Sequence, residues 1–408
     1  MSKKEKLVAP KLRFCQFRNH PKWSVSKFGK LTVPVEERAG TKKLTLMSVT
    51  SGVGLVPQIV KFGREIAGSA YKNYYVIKKN DFAYNKSATK LFPEGYISML
   101  TEYEEAALPN SIFTCFRIVN EECEPRFFDH LFHNNYHGTW LRQYIEVGAR
   151  AHGSLSVDNR HLWNMPVALP PLPEQQKIAD CLSSLDDLIA AEDKKLLALG
   201  EHKKGLMQKL FPAEGETVPE WRFPEFRDSG EWIEKSLSSL CDMQAGKFVQ
   251  TTEIHEKREN NMYPCYGGNG LRGYTYSYTH SGEYALIGRQ GALCGNVSYV
   301  TGDFHATEHA VVATKKHNVC TKWLYFLLIK MNLNQFATGQ AQPGLSVQVL
   351  EKVGTHIPKL VVEQQKIAEC LSSVDTLITA QSKKIEALKQ HKKGLMQGLF
   401  PSIEEVEV

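Results

Sequence analysis

Glu174 to Pro212 reads EQQKIADCLSSLDDLIAAEDKKLLALGEHKKGLMQKLFP, and Glu363 to Pro401 reads EQQKIAECLSSVDTLITAQSKKIEALKQHKKGLMQGLFP. The two stretches align without a gap at an offset of 189, with 28 of 39 positions identical. Chance composition does not produce such a match, so the chain carries an internal duplication.

Within the first copy, Ile178, Leu182, Leu185, Ile189, Glu192, Leu196, Leu199, Lys203, Leu206 and Leu210 recur at alternating steps of four and three. The second copy repeats the pattern with Ile367, Leu371, Val374, Ile378, Gln381, Ile385, Leu388, Lys392, Leu395 and Leu399. A sustained 3.5-residue period predicts a long helix with a coiled-coil seam. Phe-Pro closes each helix, and Gly205 and Gly394 are weak points late in each. Two equal seams in one chain have an obvious partner in each other. The polar interruptions favour an antiparallel pair: Glu192 then faces Lys392, and Lys203 faces Gln381, with no lone charge buried against an aliphatic side chain. Each helix is about 55 Å long at 1.5 Å per residue, the dimension of a rigid spacer.

Outward from these helices, a fainter repeat marks the start of each half. Pro10, Arg13, Phe14, Phe17, Arg18 and Trp23 recur as Pro219, Arg222, Phe223, Phe226, Arg227 and Trp232. Leu155-Ser156-Val157 recurs as Leu345-Ser346-Val347 near the end of each globular stretch. The interiors between these markers do not match. The expected organisation is α+β, with globular domains over 1–165 and 214–355 and helical spacers over 166–213 and 356–408. The helices pair antiparallel and relate the halves by a pseudo-twofold. Two copies that kept their frame and diverged in content are suited to reading two different things.

Charge is distributed unevenly. Residues 1–165 carry 24 Lys and Arg against 15 Asp and Glu, whereas residues 214–355 carry 13 against 15. Phosphate affinity grows with the cations placed on the backbone. The first segment supplies them, and the second needs a local patch or a partner that closes around the duplex. Nine cysteines without a Cys-x-x-Cys pair read as reduced thiols rather than a zinc site or a disulfide framework. The longest apolar run, Trp323 to Ile329, is too short to cross a bilayer, and no apolar segment follows the basic N-terminus. A cytoplasmic protein is expected, with no membrane partner.

The doubled ensemble resembles the specificity subunit of type I restriction–modification enzymes across essentially the whole chain. The residues that carry the likeness are Leu155-Ser156-Val157, Leu169-Pro170-Pro171-Leu172-Pro173-Glu174-Gln175-Gln176-Lys177-Ile178 and Lys203-Lys204-Gly205-Leu206-Met207-Gln208, with their second appearances around 345–347, 357–367 and 392–397. The second half reduces Leu-Pro-Pro-Leu to Ile-Pro-Lys-Leu. The resemblance implies two target recognition domains, each reading one half of a bipartite double-stranded DNA site. It implies spacers that bind two methyltransferase subunits, which use S-adenosylmethionine to methylate adenine N6, and a motor–nuclease subunit that consumes ATP with Mg. This chain itself is then no enzyme and binds no cofactor or metal. A coiled-coil scaffold, or a decoy that binds the methyltransferase without reading DNA, is the alternative.

The resemblance also directs attention to polar loops. In the second domain, Tyr266 to Tyr274 is a Gly-rich turn flanked by aromatics, and Ala285 to Gly291 reads as a strand ending in a Gly-bounded polar loop. Arg grips guanine O6 and N7, and Asn or Gln pairs with adenine N6 and N7. Asn269, Arg272, Arg289 and Gln290 are the candidates there. In the first domain the comparable loop is Tyr84 to Lys90, with Lys86 and Lys90 for phosphates and Asn85 and Ser87 nearer base edges. Arg150 and His152 are weaker candidates.

Three other patterns lead nowhere. His305-Ala306-Thr307-Glu308-His309 has metalloprotease spacing but sits in a β-rich stretch. His130, His133 and His137 read as a polar helix face rather than a metal site. Gly267 to Gly270 lacks the strand–turn–helix context of a dinucleotide site, and neither a phosphate-binding lysine loop nor an adenine-methyltransferase Pro-Pro-Tyr string is present.

Overall fold

The computed structural model describes residues 6–145, 155, 157–291, 293–339 and 343–406. The chain divides into two compact units, one of Met1–Glu192 with Lys384–Val408 and the other of Asp193–Lys383. Both divisions fall inside a long helix: Leu172–Leu210 and Val361–Leu399, of 39 residues each. Pro173 lies in the first turn of its helix, where a missing N–H costs nothing. No described helix is long and apolar enough to cross a membrane.

In the first unit an antiparallel sheet runs in the order Thr32–Pro34, Phe113–Ile118, Phe82–Asn85, Tyr96–Met99. Beside it, Trp23–Lys27 pairs with both Leu7–Val8 and Pro166–Leu169. Residues 166–169, expected in the spacer, therefore fold with the domain. Helix Pro125–His133 closes an aromatic core in which Phe82 stacks on Phe116 at 5.3 Å and meets Phe132 at 5.6 Å. The spacers join this same core. Ile178, Ala179 and Leu182 come from the start of one helix, and Met396, Leu399 and Phe400 from the end of the other.

In the second unit a six-stranded sheet runs in the order Cys241–Ala245, Ala310–Lys315, His280–Gly288, Val297–Ala306, Tyr263–Gly267, Gly270–Thr275. All neighbours are antiparallel except Tyr263–Gly267 against Val297–Ala306. Its core takes Ile367, Ala368 and Leu371 from one spacer and Met207, Leu210 and Phe211 from the other. These are the positions that the first unit uses, shifted by 189, so the Gly-Leu-Met-Gln-x-Leu-Phe ends of both helices are core plugs.

The repeated Glu-Gln at each helix start is explained by its partners. Glu174 accepts from Nε and Nη2 of Arg13, each at 2.7 Å, and Glu363 takes the same fork from Arg222 at 2.7 and 2.8 Å. Gln175 accepts from the backbone N–H of Glu124 at 2.9 Å, beside the start of helix Pro125–His133. Gln364 accepts from Cys320 N–H at 2.9 Å, beside the start of helix Thr321–Lys330. Each spacer helix is thus clamped to its own domain by an ion pair and an amide.

None of the twenty seam positions is exposed, which bears out the 3.5-residue period. In the first unit Lys392 binds Asp186 at 2.5 Å and Lys384 binds Glu192 at 2.5 Å. In the second, Lys203 binds Asp375 at 2.6 Å. Numbers rise on one helix as they fall on the other, so the pairing is antiparallel. The expected register is corrected by one heptad: Lys392 does not face Glu192, and Lys203 is drawn to Asp375. A heptad slip leaves every apolar contact type unchanged, so acidic residues flanking the seam, in reach of long lysines, decide between registers. Gln381 is buried, as a seam residue should be.

Candidate nucleic-acid interface

The second domain brings its two predicted loops to one sheet edge. Gly268 and Asn269 form the tip of the hairpin between Tyr263–Gly267 and Gly270–Thr275. A Cβ on Gly288 would overlap the Gly268 carbonyl oxygen, and one on Gly268 would fall 3.1 Å from that of His309. Only glycine permits this approach. As a result the hairpin tip, the end of strand His280–Gly288 and the turn at Glu308–His309 touch. Arg289 N–H donates to the His309 carbonyl at 2.9 Å, and the Arg289 carbonyl accepts from Leu345 N–H at 2.9 Å. The backbone is pinned while Asn269 and Gln290 stay exposed. Arg289 is half-buried, and its guanidinium makes no hydrogen bond or ion pair among the described residues. It is a fork held ready for an acceptor. Arg272 is exposed, and its Nη2 donates to Thr251 Oγ1 at 3.2 Å, tying the hairpin to the segment after Ala245.

That segment was missed in the sequence. Gly246 lies so close to the neighbouring strand end that a Cβ would overlap the Ala306 carbonyl oxygen. Lys247 and Phe248 follow it, both exposed on the same edge. The signal available was a Gly-Lys-aromatic string at a strand end. The His-x-x-Glu-His string has structural work here: His305 is buried with Nε2 at 3.2 Å from the Lys247 carbonyl, while His309 pairs with Glu308 at 3.2 Å. Among the described residues no cluster of His, Cys, Asp or Glu is arranged to hold a metal.

The first domain divides its candidates. Asn85 is the last residue of a buried strand, not a loop residue. Its Nδ2 donates to the Val49 carbonyl at 3.3 Å and its Oδ1 accepts from Ser87 N–H at 3.0 Å. Lys86 Nζ donates to the Val157 carbonyl at 3.0 Å, and burial holds its ammonium below the ordinary lysine range. Lys86 is committed to the fold, and Asn85 is held in place by its two hydrogen bonds. Asn85, Ser87 and Lys90 line an open cleft of about 610 Å³ with Thr50, Ser51 and Lys61, whereas Lys86 does not. Lys61 also escaped sequence reading. It donates to Ser48 Oγ at 3.2 Å, and burial lowers its pKa. Arg150 and His152 lie outside the described residues. The three histidines do not share a helix. His130 and His133 belong to Pro125–His133 and His137 to Tyr136–Leu141, separated by Asn135 at φ 56°.

The first half thus offers a cleft of hydroxyls and lysines, and the second an exposed array of amides and arginines. The family model for the type I restriction modification DNA specificity domain matches residues 60–200 and 229–390, one span per half. The chain belongs to that family. Members of this specificity family are not catalytic; the chemistry sits on other subunits. The EcoprrI specificity subunit of Escherichia coli is 33% identical over 299 residues, 71% of this chain and 73% of that subunit. The MjaVIII specificity subunit of Methanocaldococcus jannaschii is 26% identical over 284 residues, 63% of this chain and 66% of that one. Among solved structures, the S subunit of a type I restriction–modification system from M. genitalium superposes with a TM-score of 0.59 at 15% identity, over 97% of this chain and all of that one. A chain from a study of complex assembly and conformational transition of the type I system gives 0.55 at 18% identity, over 93% and 97%. At these identities the likeness speaks for the fold of a specificity subunit, here covering nearly the whole chain.

Proposed function

We propose that this specificity subunit reads a bipartite DNA sequence, one word per domain, and presents it to methyltransferase subunits that methylate adenine N6 using S-adenosylmethionine. The observation that carries the reading is the pinned edge of the second domain, where the side chains of Asn269, Arg289 and Gln290 make no hydrogen bond or ion pair among the described residues. Their functional groups match the major-groove edges of adenine and guanine. Ser87, Lys90 and Lys61 serve the first domain, with the lysines on phosphates. Asn85 lines the same cleft from the end of its strand. The spacer helices, each running from one unit into the other, set the gap between the words and dock the methyltransferase subunits. A motor–nuclease subunit using ATP and Mg completes the assembly on unmodified DNA.

The test is selection of duplexes from a random library by the complex of this chain with its methyltransferase subunits. Recovery of two fixed words with a constant gap is expected. Arg289→Ala or Gln290→Ala should relax one word by roughly 1–3 kcal/mol per lost bidentate contact and leave the other intact. Selection of no motif by a stable complex would favour the scaffold reading.

A further inference from the structure

Two apolar side chains stand out on the DNA-facing edges of the two domains, and the role inferred for them rests on the proposed DNA reading. Leu91 is 83% exposed and Phe248 is 73% exposed, the most of any large hydrophobic residue described in their respective units. Single exposed hydrophobics are ordinary on proteins. These two differ in how they are held.

Lys90 and Leu91 form a two-residue tip. Thr89 and Phe92 exchange backbone hydrogen bonds of 3.1 and 3.2 Å across it, and Thr89 Oγ1 takes a further bond from Phe92 N–H at 3.1 Å. The Phe92 ring anchors the base of the tip on Tyr96 at 4.9 Å. Phe248 is fixed from both sides. Lys247 N–H donates to the Ala306 carbonyl at 2.8 Å, His305 holds the Lys247 carbonyl at 3.2 Å, and Val249 is buried. Each protruding side chain directly follows an exposed lysine. Leu91 and Lys90 line the first-domain cleft. Three residues after Phe248, Thr251 accepts from Arg272, which lies on the hairpin whose tip carries Asn269. The domain interiors share no sequence pattern, yet both arrive at a cation and an apolar tip on a pinned backbone.

We propose that Leu91 and Phe248 are wedges, each entering the stack at one base step of its half-site, while Lys90 and Lys247 hold the neighbouring phosphates. Such side chains unstack a step and kink a duplex by roughly 20–90°, and the bent duplex covers more protein surface. Sequence preference then extends to steps that open easily, typically pyrimidine–purine, without a hydrogen bond to them. The lysine beside each tip favours DNA over a protein surface as the occupant.

The experiment uses the complete complex with its methyltransferase subunits, on its selected target, with fluorescent base analogues substituted in turn through both half-sites. The wild-type complex should brighten one step in each half-site. Leu91→Ala should abolish one signal and Phe248→Ala the other, each with an affinity loss on the order of tenfold; Phe248→Trp should keep its signal. Wild-type binding with no brightened step overturns the wedges and leaves DNA reading intact. So do signals that persist in both alanine variants. Alanine variants that instead fail to assemble with the methyltransferase subunits mark these residues as protein contacts and also overturn the proposal. A complex that selects no target at all removes the reading on which the wedges rest.

Discussion

Lys392 meets both carboxylate oxygens of Asp186 at 2.5 Å, and the residues 189 positions away, Lys203 and Asp375, repeat the pair at 2.6 Å in the other unit. The lysine that opens each Lys-Lys-Gly-Leu-Met-Gln string therefore reads an aspartate in the opposite copy. This doubled contact selects the register. The apolar seam cannot, because it is indifferent to a shift of seven residues.

Charge reversal tests that register. Asp186→Lys or Lys392→Asp should each destabilise the first unit, and the double reversal should recover most of the loss. The coupling expected in a double-mutant cycle by urea unfolding is about 1 kcal/mol, discounted because Asp186 is 46% exposed. The same cycle on Glu192 and Lys392 should show no coupling.

The clamp between Arg222 and Glu363 is more consequential. Both side chains are at least nine-tenths buried, and the geometry is a bidentate fork. Removing one partner strands a buried charge, so Arg222→Met should cost about 3–5 kcal/mol in chemical unfolding of the second unit. Arg13→Met should do the same to the first unit through Glu174.

A Cβ added at Gly205 or Gly394 meets nothing within 4 Å, and both residues lie in helix interiors. Alanine at either position should stabilise the isolated chain by about 1 kcal/mol in thermal melts. Gly398 should behave oppositely, since a Cβ there would strike the Leu12 side chain.

Acid should act first on the first unit. Burial pushes the His130 imidazole down to about 3, helped by nearby Lys392, and pushes His137 down to about 4. Both are neutral in the folded state and protonate in the unfolded chain near 6.5, so the unfolded state binds more protons between those values. Stability is fully present above about pH 6.5 and falls as pH drops toward 4, by up to about 1.4 kcal/mol per pH unit per histidine. Unfolding of the first unit at pH 7 and pH 5, with His130→Gln flattening the difference, checks the sign.

Much of this was legible in the sequence because it is written twice. The duplication gave the helices, their seam, their antiparallel sense and the frame residues Arg13, Arg222, Glu174 and Glu363 as recurring positions. The register was not legible, since it depends on Asp186 and Asp375, which lie beside the seam. In the recognition domains, glycine strings revealed where strands end in the second half, and Asn269, Arg289 and Gln290 emerged together at one edge. The first half offered no such punctuation. Asn85 and Lys86 look like loop residues by type, but a strand and a buried carbonyl claim them. Lys61, Lys247 and Phe248 needed tertiary contacts to be seen.

The most direct measurement is a genome-wide map of N6-methyladenine in cells expressing this chain with its methyltransferase subunits. Methylation is expected at one bipartite motif of constant gap, with one adenine in each half on opposite strands, and relaxed preference within a single word when Arg289 is replaced. Methylation absent from any shared motif, despite a stable complex, would contradict it.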